Sequence, residues 1–131
     1  MSVDTIVNSA IANVPKAVAA GVVDMGTGLL LGVKTVDQHP QSVLDMLAAA
    51  THDLYEGDSV MGIENSFKAS RGDKSEEHYF KEIIVTSKNL IHVFSRLTTN
   101  PSVVFTVVCH DSANLGLVLM KVRDIATHDS I

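Results

Sequence analysis

The stretch from Ala17 to Val33 constrains this chain more than any other part of it. Two short apolar runs, Ala17-Val18-Ala19-Ala20-Gly21-Val22-Val23 and Leu29-Leu30-Leu31-Gly32-Val33, flank the break Asp24-Met25-Gly26-Thr27-Gly28. Neither run has helical spacing, each is strand length, and glycines mark the turn between them, so the stretch reads as a β-hairpin. Both runs are apolar at nearly every position instead of alternating. Strands of that kind are buried on both faces, which places the hairpin mid-sheet with helices above and below.

The remaining sequence supplies those helices. Val3, Ile6, Val7, Ala10, Ile11 and Val14 form one helical stripe, with Asp4 in the first turn and Pro15 as the stop. A loop, Asp37-Gln38-His39-Pro40, opens a second helix whose stripe is Val43, Leu44, Leu47, Ala50, Thr51 and Leu54. At about 100° per residue, Val60, Ile63 and Phe67 point nearly opposite to Leu47 and Leu54. Either the helix bends near Gly57, or it runs on and buries two faces, one on the sheet and one on a partner. The second alternative is preferred, because a long helix with two apolar stripes suits a dimer.

After a polar loop at 69–77, three strands follow: Tyr79 to Thr86, Leu90 to Leu97, and the β-branched run Val103 to Cys109. A last helix carries Leu115, Val118, Leu119, Val122 and Ile125, with Asp111 or Ser112 as its N-cap. The fold class is therefore α+β, a single domain over 1–131. Its five-stranded antiparallel sheet carries helices on both faces, in the order helix, two strands, helix, three strands, helix.

Charge and cysteine usage exclude several functions. The net charge is −5 and no Lys or Arg run accumulates, so nucleic acid is not the expected partner. No apolar run approaches the roughly 20 residues of a membrane span. The first residues lack a basic n-region and an apolar h-region, so no secretory signal is expected. One cysteine, Cys109, cannot form an internal disulfide, which fits a reducing cytoplasm. With 46% hydrophobic residues and only 19% charged, the chain is apolar for a small monomer, and a second copy or another partner is expected to cover part of it.

Motifs that could carry chemistry reduce to structure. Gly26-Thr27-Gly28 opens a strand, whereas a dinucleotide fingerprint opens a helix. The six histidines, His39, His52, His78, His92, His110 and His128, show no ligand spacing, so neither metal nor cofactor is expected. Cys109-His110-Asp111 has the residue types of a thiol triad, but consecutive residues at a strand end diverge. Arg71-Gly72-Asp73 reads as an exposed loop. Asp45, Asp53, Glu56, Asp58 and Glu64 on the second helix are a solvated face or a docking surface for a basic partner. No carboxylate pair sits in an evident cleft, so no catalytic residue is expected and the chain is not read as an enzyme.

The hairpin residues Ala20-Gly21-Val22-Val23-Asp24, with Gly28-Leu29-Leu30-Leu31, resemble the roadblock family of dynein light-chain domains. Ala113-Asn114-Leu115-Gly116-Leu117 resembles that family's opening to its last helix, and Ile83–Val85, Ile91–Phe94 and Val103–Val108 fall where the family has strands. The resemblance covers about residues 3–126 and implies a roadblock/profilin-like sandwich. It also implies a dimer in which the middle helix and third strand meet their counterparts, and a role as regulator or scaffold of a small Ras-like GTPase. Bacterial members include regulators of a polarity GTPase, and others are adaptor subunits. On that resemblance the homodimer surface falls on Leu44, Leu47, Leu54, Ile63, Phe67, Tyr79, Phe80, Ile83 and Val85, and partner docking on Asp45, Asp53, Glu56 and Glu64. Arg71 is the exposed arginine to which an arginine-finger role would point. A structural adaptor without GTPase contact and a small-ligand sensor are the alternatives, and an apolar cavity beside His92 and Phe94 would favour the sensor.

Overall fold

The structure, a computed structural model, describes residues 3–74, 78 and 80–128. Its elements are α1 (Val3–Asn13), β1 (Ala17–Asp24), β2 (Leu30–Thr35), α2 (Gln41–Glu56), α3 (Asp58–Arg71), β3 (Glu82–Thr86), β4 (Leu90–Arg96), β5 (Val103–His110) and α4 (Leu115–His128). The five strands form one sheet in the order β2-β1-β5-β4-β3, antiparallel throughout. The α+β sandwich expected from the sequence is the fold observed, with two refinements. β1 is an interior strand, but its hairpin partner β2 is an edge strand and half exposed, so only one arm of the hairpin is buried on both faces. The Leu-rich run did not reveal this because an edge strand packs one face and still carries apolar residues on the other.

The second refinement concerns the middle helix. The preferred continuous helix is instead broken at Gly57, which closes α2 and opens α3 with extended backbone (φ −64°, ψ 161°). Its N–H bonds to the Asp53 carbonyl at 3.1 Å. A Cβ added there would lie 2.6 Å from that carbonyl oxygen, too close for any side chain. Gly57→Ala is accordingly expected to cost about 1–2 kcal/mol, the scale of a forced backbone shift, measured by urea unfolding. An unchanged midpoint would mean that the break does not depend on glycine.

Alternation along each strand sorts the core into two layers. Ala20 and Val22 of β1, Val93 of β4, and Phe105, Val107 and Cys109 of β5 face α1 and α4, which contribute Ile6, Val7, Ala10, Val118, Val122 and Ile125. Val23, Phe94 and Val104 face the other way and pack with Met25, Ala48 and Tyr55. The α1 and α4 stripes read from the sequence are those buried, although Leu115 is partly exposed. The cap of α4 is neither Asp111 nor Ser112. Asn114 Oδ1 accepts the Leu117 N–H at 3.1 Å, three residues on, as an N-cap does.

The hairpin turn is self-contained. Asp24 accepts the Thr27 hydroxyl at 2.7 Å and the Gly26 N–H at 3.4 Å, while Gly28 takes the left-handed conformation (φ 73°). Those glycines serve the turn. Cys109 is fully buried, and burial pushes its thiol up to about 11, whereas His110 and Asp111 stand on the surface, so no triad forms.

Candidate interaction surface

One edge of the sheet is β3, whose outer side pairs with no strand among the described residues. Ile84 and Val85 are exposed there. Apolar side chains also stand exposed on the neighbouring helices: Met46, Leu47 and Leu54 on α2, Ile63 and Phe67 on α3. Phe67 and Lys81, the residue preceding β3, line one shallow hollow, so part of α3 lies near the start of that strand. An unpaired strand beside exposed apolar side chains is a surface that natural proteins ordinarily cover.

The residues expected at a self-association surface divide into two sets. Leu47, Leu54, Ile63, Phe67 and Val85 are exposed, whereas Leu44 is half buried on α2 and Phe80 and Ile83 pack against the second core. Tyr79 lies outside the described residues. The strand expected from Tyr79 begins at Glu82, and Phe80 sits in the preceding loop.

The acidic set divides as well. Asp45 and Asp53 are on the surface, Asp45 accepting a bond from the Gln41 side-chain amide at 2.9 Å. Glu64, by contrast, is 2% exposed, with Oε1 3.2 Å from His78 Nδ1 and 3.6 Å from Lys68 Nζ. Glu56 is turned inward to Arg96. Two of the four acids therefore serve the interior, Glu64 through His78 and Lys68 and Glu56 through Arg96. Arg71 is exposed at the end of α3, its guanidinium 5.4 Å from the Phe67 ring centroid.

Arg96, at the end of β4, was not legible as important. Buried to 7% exposure, it joins three segments. Nε donates to the Phe80 carbonyl at 2.7 Å, and Nη1 donates to the Pro101 carbonyl at 2.7 Å and to Glu56 Oε2 at 3.3 Å. Its guanidinium stacks 4.7 Å from the centroid of the Tyr55 ring, and the Tyr55 hydroxyl donates to the Lys81 carbonyl at 2.9 Å. Burial raises the Tyr55 hydroxyl far above its ordinary pKa, so it stays a donor. The C-terminal end of α2, the approach to β3 and the β4–β5 turn are thus held by one side chain. A lone arginine closing an apolar strand was the only sequence signal.

On the opposite face, Arg123 of α4 grips Glu82 of β3 with two bonds of 2.9 Å. The hydrogen bonds from Arg123 hold the Glu82 carboxyl below its usual range, outweighing partial burial. A carboxyl with a lowered folded pKa contributes stability that is present above its unfolded pKa, and this is lost as pH falls through the lowered value. Glu82→Gln is therefore expected to melt below the parent at pH 7, with the two melting temperatures converging under acid. A gap that persists unchanged at pH 3 would assign the effect to packing.

Between α2 and the sheet lies an apolar cleft of about 530 Å³. Its floor includes Ala19 and Gly21 of β1, Thr106 and Val108 of β5, and His92 and Phe94 of β4. Val43, Leu47, Ala50 and Leu54, spaced at i, i+4, i+7 and i+11, overhang it from α2. The cleft exists because α2 buries only Ala48, Thr51 and Tyr55, a narrow stripe that leaves the rest of this sheet face uncovered. Burial lowers the pKa of His92, whose Nε2 lies 3.1 Å from the Ser87 hydroxyl.

Among the described residues no group of three or more His, Cys, Asp or Glu is placed to hold a metal ion. No helix among them is long and apolar enough to cross a membrane.

No protein-family model matches the sequence, and no curated protein matches it. Solved structures do match. Myxococcus xanthus MglB is similar at a TM-score of 0.68 and 15% identity, over 95% of this chain and 88% of that one. A structure described as MglB with tetrameric arrangement is similar at 0.70 and 16%, over 95% and 82%. The Roadblock/LC7 domain from Streptomyces avermitilis is similar at 0.67 and 17%, over 96% and 92%. At such identities the likeness speaks for fold, and the strand order and helix placement agree with it: this chain has the roadblock fold.

Proposed function

We propose that two copies of this chain associate through the β3 edge and the exposed faces of α2 and α3, and that the dimer binds a small Ras-like GTPase as a non-catalytic regulator or scaffold. The observation that carries the reading is the open β3 edge with exposed Ile84 and Val85, together with exposed Ile63 and Phe67 on α3, on a chain with the roadblock fold. Edge pairing would satisfy the outward N–H and C=O groups of β3 and extend the sheet across the pair. Leu47, Leu54, Ile63, Phe67 and Val85 would lose their exposed area in the dimer. Leu44, Phe80 and Ile83 would support the surface from behind, and Tyr79 belongs to the same proposal.

Partner docking would use Asp45 and Asp53, whose carboxylates stand on the surface, with Glu56 and Glu64 shaping the helices from inside. Regulation follows if the dimer binds one nucleotide state of the GTPase better than the other, since a partner shifts a two-state protein only by differential affinity. Arg71, exposed at the end of α3, is where an arginine-finger role would point, and the proposal does not require one. No catalytic residue, cofactor or metal of this chain enters the proposal, and its place of action would be the cytoplasm.

Two measurements test it. Sedimentation at tens of micromolar is expected to show a dimer, and a monomer there would overturn the self-association reading. Mixing with a candidate GTPase is expected to give a complex and an altered rate of phosphate release. A complex with unchanged hydrolysis and nucleotide exchange would leave a structural adaptor.

A further inference from the structure

We propose that the cleft between α2 and the sheet is a binding site for a small aliphatic molecule that carries one uncharged polar group. This goes beyond the self-association reading and does not depend on it.

The distribution of residue types along the cleft sets the ligand's chemistry. Register places Thr35 opposite Ala19, and His92 opposite Val108, so these residues lie at one end of the sheet. Asp37 and His39, on the loop leaving β2, line the cleft too. The other end is bounded by Val23, Leu30 and Ala48, with Phe94 and its cross-strand partner Thr106 between the two ends. A ligand would therefore lie with its aliphatic part toward Val23 and Leu30 and its polar group toward His92. His92 Nε2 is engaged by Ser87, which leaves Nδ1 for a hydroxyl or carbonyl. Asp37 at the same end disfavours a carboxylate.

A volume of about 530 Å³ falls within the range of small-molecule sites. The cleft suits a molecule on the order of a dozen non-hydrogen atoms. The small floor residue Ala19 helps make the space, because a larger side chain there would fill it. Exposed Leu47 and Leu54 on the overhang would gain apolar contact with the bound molecule and still present their outer sides to a second copy.

Nonan-1-ol and nonanoate serve as probes, titrated calorimetrically into the full chain at pH 8. The alcohol is expected to bind saturably with a Kd on the order of 10 µM, and nonanoate at least about tenfold more weakly. Ala19→Leu fills the floor and Ala50→Phe fills the overhang from an exposed helix position, so the two do not share a folding risk. Each is expected to weaken nonan-1-ol binding at least about tenfold while retaining the parent circular dichroism. Absence of saturable binding up to the alcohol's solubility would overturn the proposal, as would binding undiminished in both folded variants. Conversion of a dimer to a monomer by both variants would also overturn it, by assigning the cleft to a second copy. The self-association reading is judged separately, by sedimentation of the unmodified chain.

Discussion

Arg96→Met is expected to destabilise the protein by about 3 kcal/mol and to lower its melting temperature by roughly 10 °C. Methionine keeps much of the apolar volume, so the loss is polar. Two carbonyl oxygens, of Phe80 and Pro101, lose donors at 2.7 Å, and Glu56 loses its cation at 3.3 Å. The Tyr55 ring loses the guanidinium stacked on it. Removing one member of a buried pair costs more than the pair contributed, because the other member stays desolvated. Glu56 is 19% exposed at its side chain and turns partly to water, which places the estimate at the lower end of that range. Thermal unfolding followed by circular dichroism measures the change, and a shift within 2 °C would show that the three segments are held by other contacts. Glu56→Gln is expected to cost less, since both carbonyl bonds of Arg96 survive it.

The second large effect concerns association. On the proposed dimer, Ile84→Lys is expected to weaken self-association at least about a hundredfold. Ile84 lies at the unpaired edge and is 44% exposed, so a lysine there is tolerated by the monomer. In an edge-paired dimer the same ammonium would be brought against apolar surface and its own symmetry mate. Charged side chains on edge strands are the means by which natural sheets prevent such pairing. The opposite edge supplies the control. Leu31 of β2 is 45% exposed, and Leu31→Lys should leave association unchanged. Sedimentation equilibrium over a hundredfold concentration range distinguishes the outcomes. Dissociation by Leu31→Lys with Ile84→Lys still dimeric would move the interface to the other edge.

These two residues illustrate what could be read in advance. Ile84 stood in a run of β-branched residues, and local propensity alone identifies such a run as a strand. That its edge is open is a property of strand order, which period-2 patterning does not encode. Arg96 falls inside the strand that the sequence predicts from Leu90 to Leu97, where nothing singles it out. Its importance arises from three carbonyl or carboxylate groups brought together by segments 16 and 40 residues apart in sequence on one side, and by a tight turn on the other. No spacing rule reports such a convergence. Glu56 and Glu64 show the same gap, since helical periodicity grouped them with the solvent-facing acids and tertiary closure turned both inward.

Sequence by itself determined the elements, their order and the two helical stripes of α1 and α4, because each follows from propensity and periodicity within a few turns of chain. It also determined that Asp24 to Gly28 is a turn, since an aspartate and two glycines satisfy the backbone locally. Only the tertiary structure decided that β2 and β3 are the edges, that Gly57 breaks the middle helix, and that α2 covers part of its sheet face. Those outcomes depend on how far each layer reaches over the next. The apolar cleft beside His92 and Phe94 is one consequence of that incomplete cover.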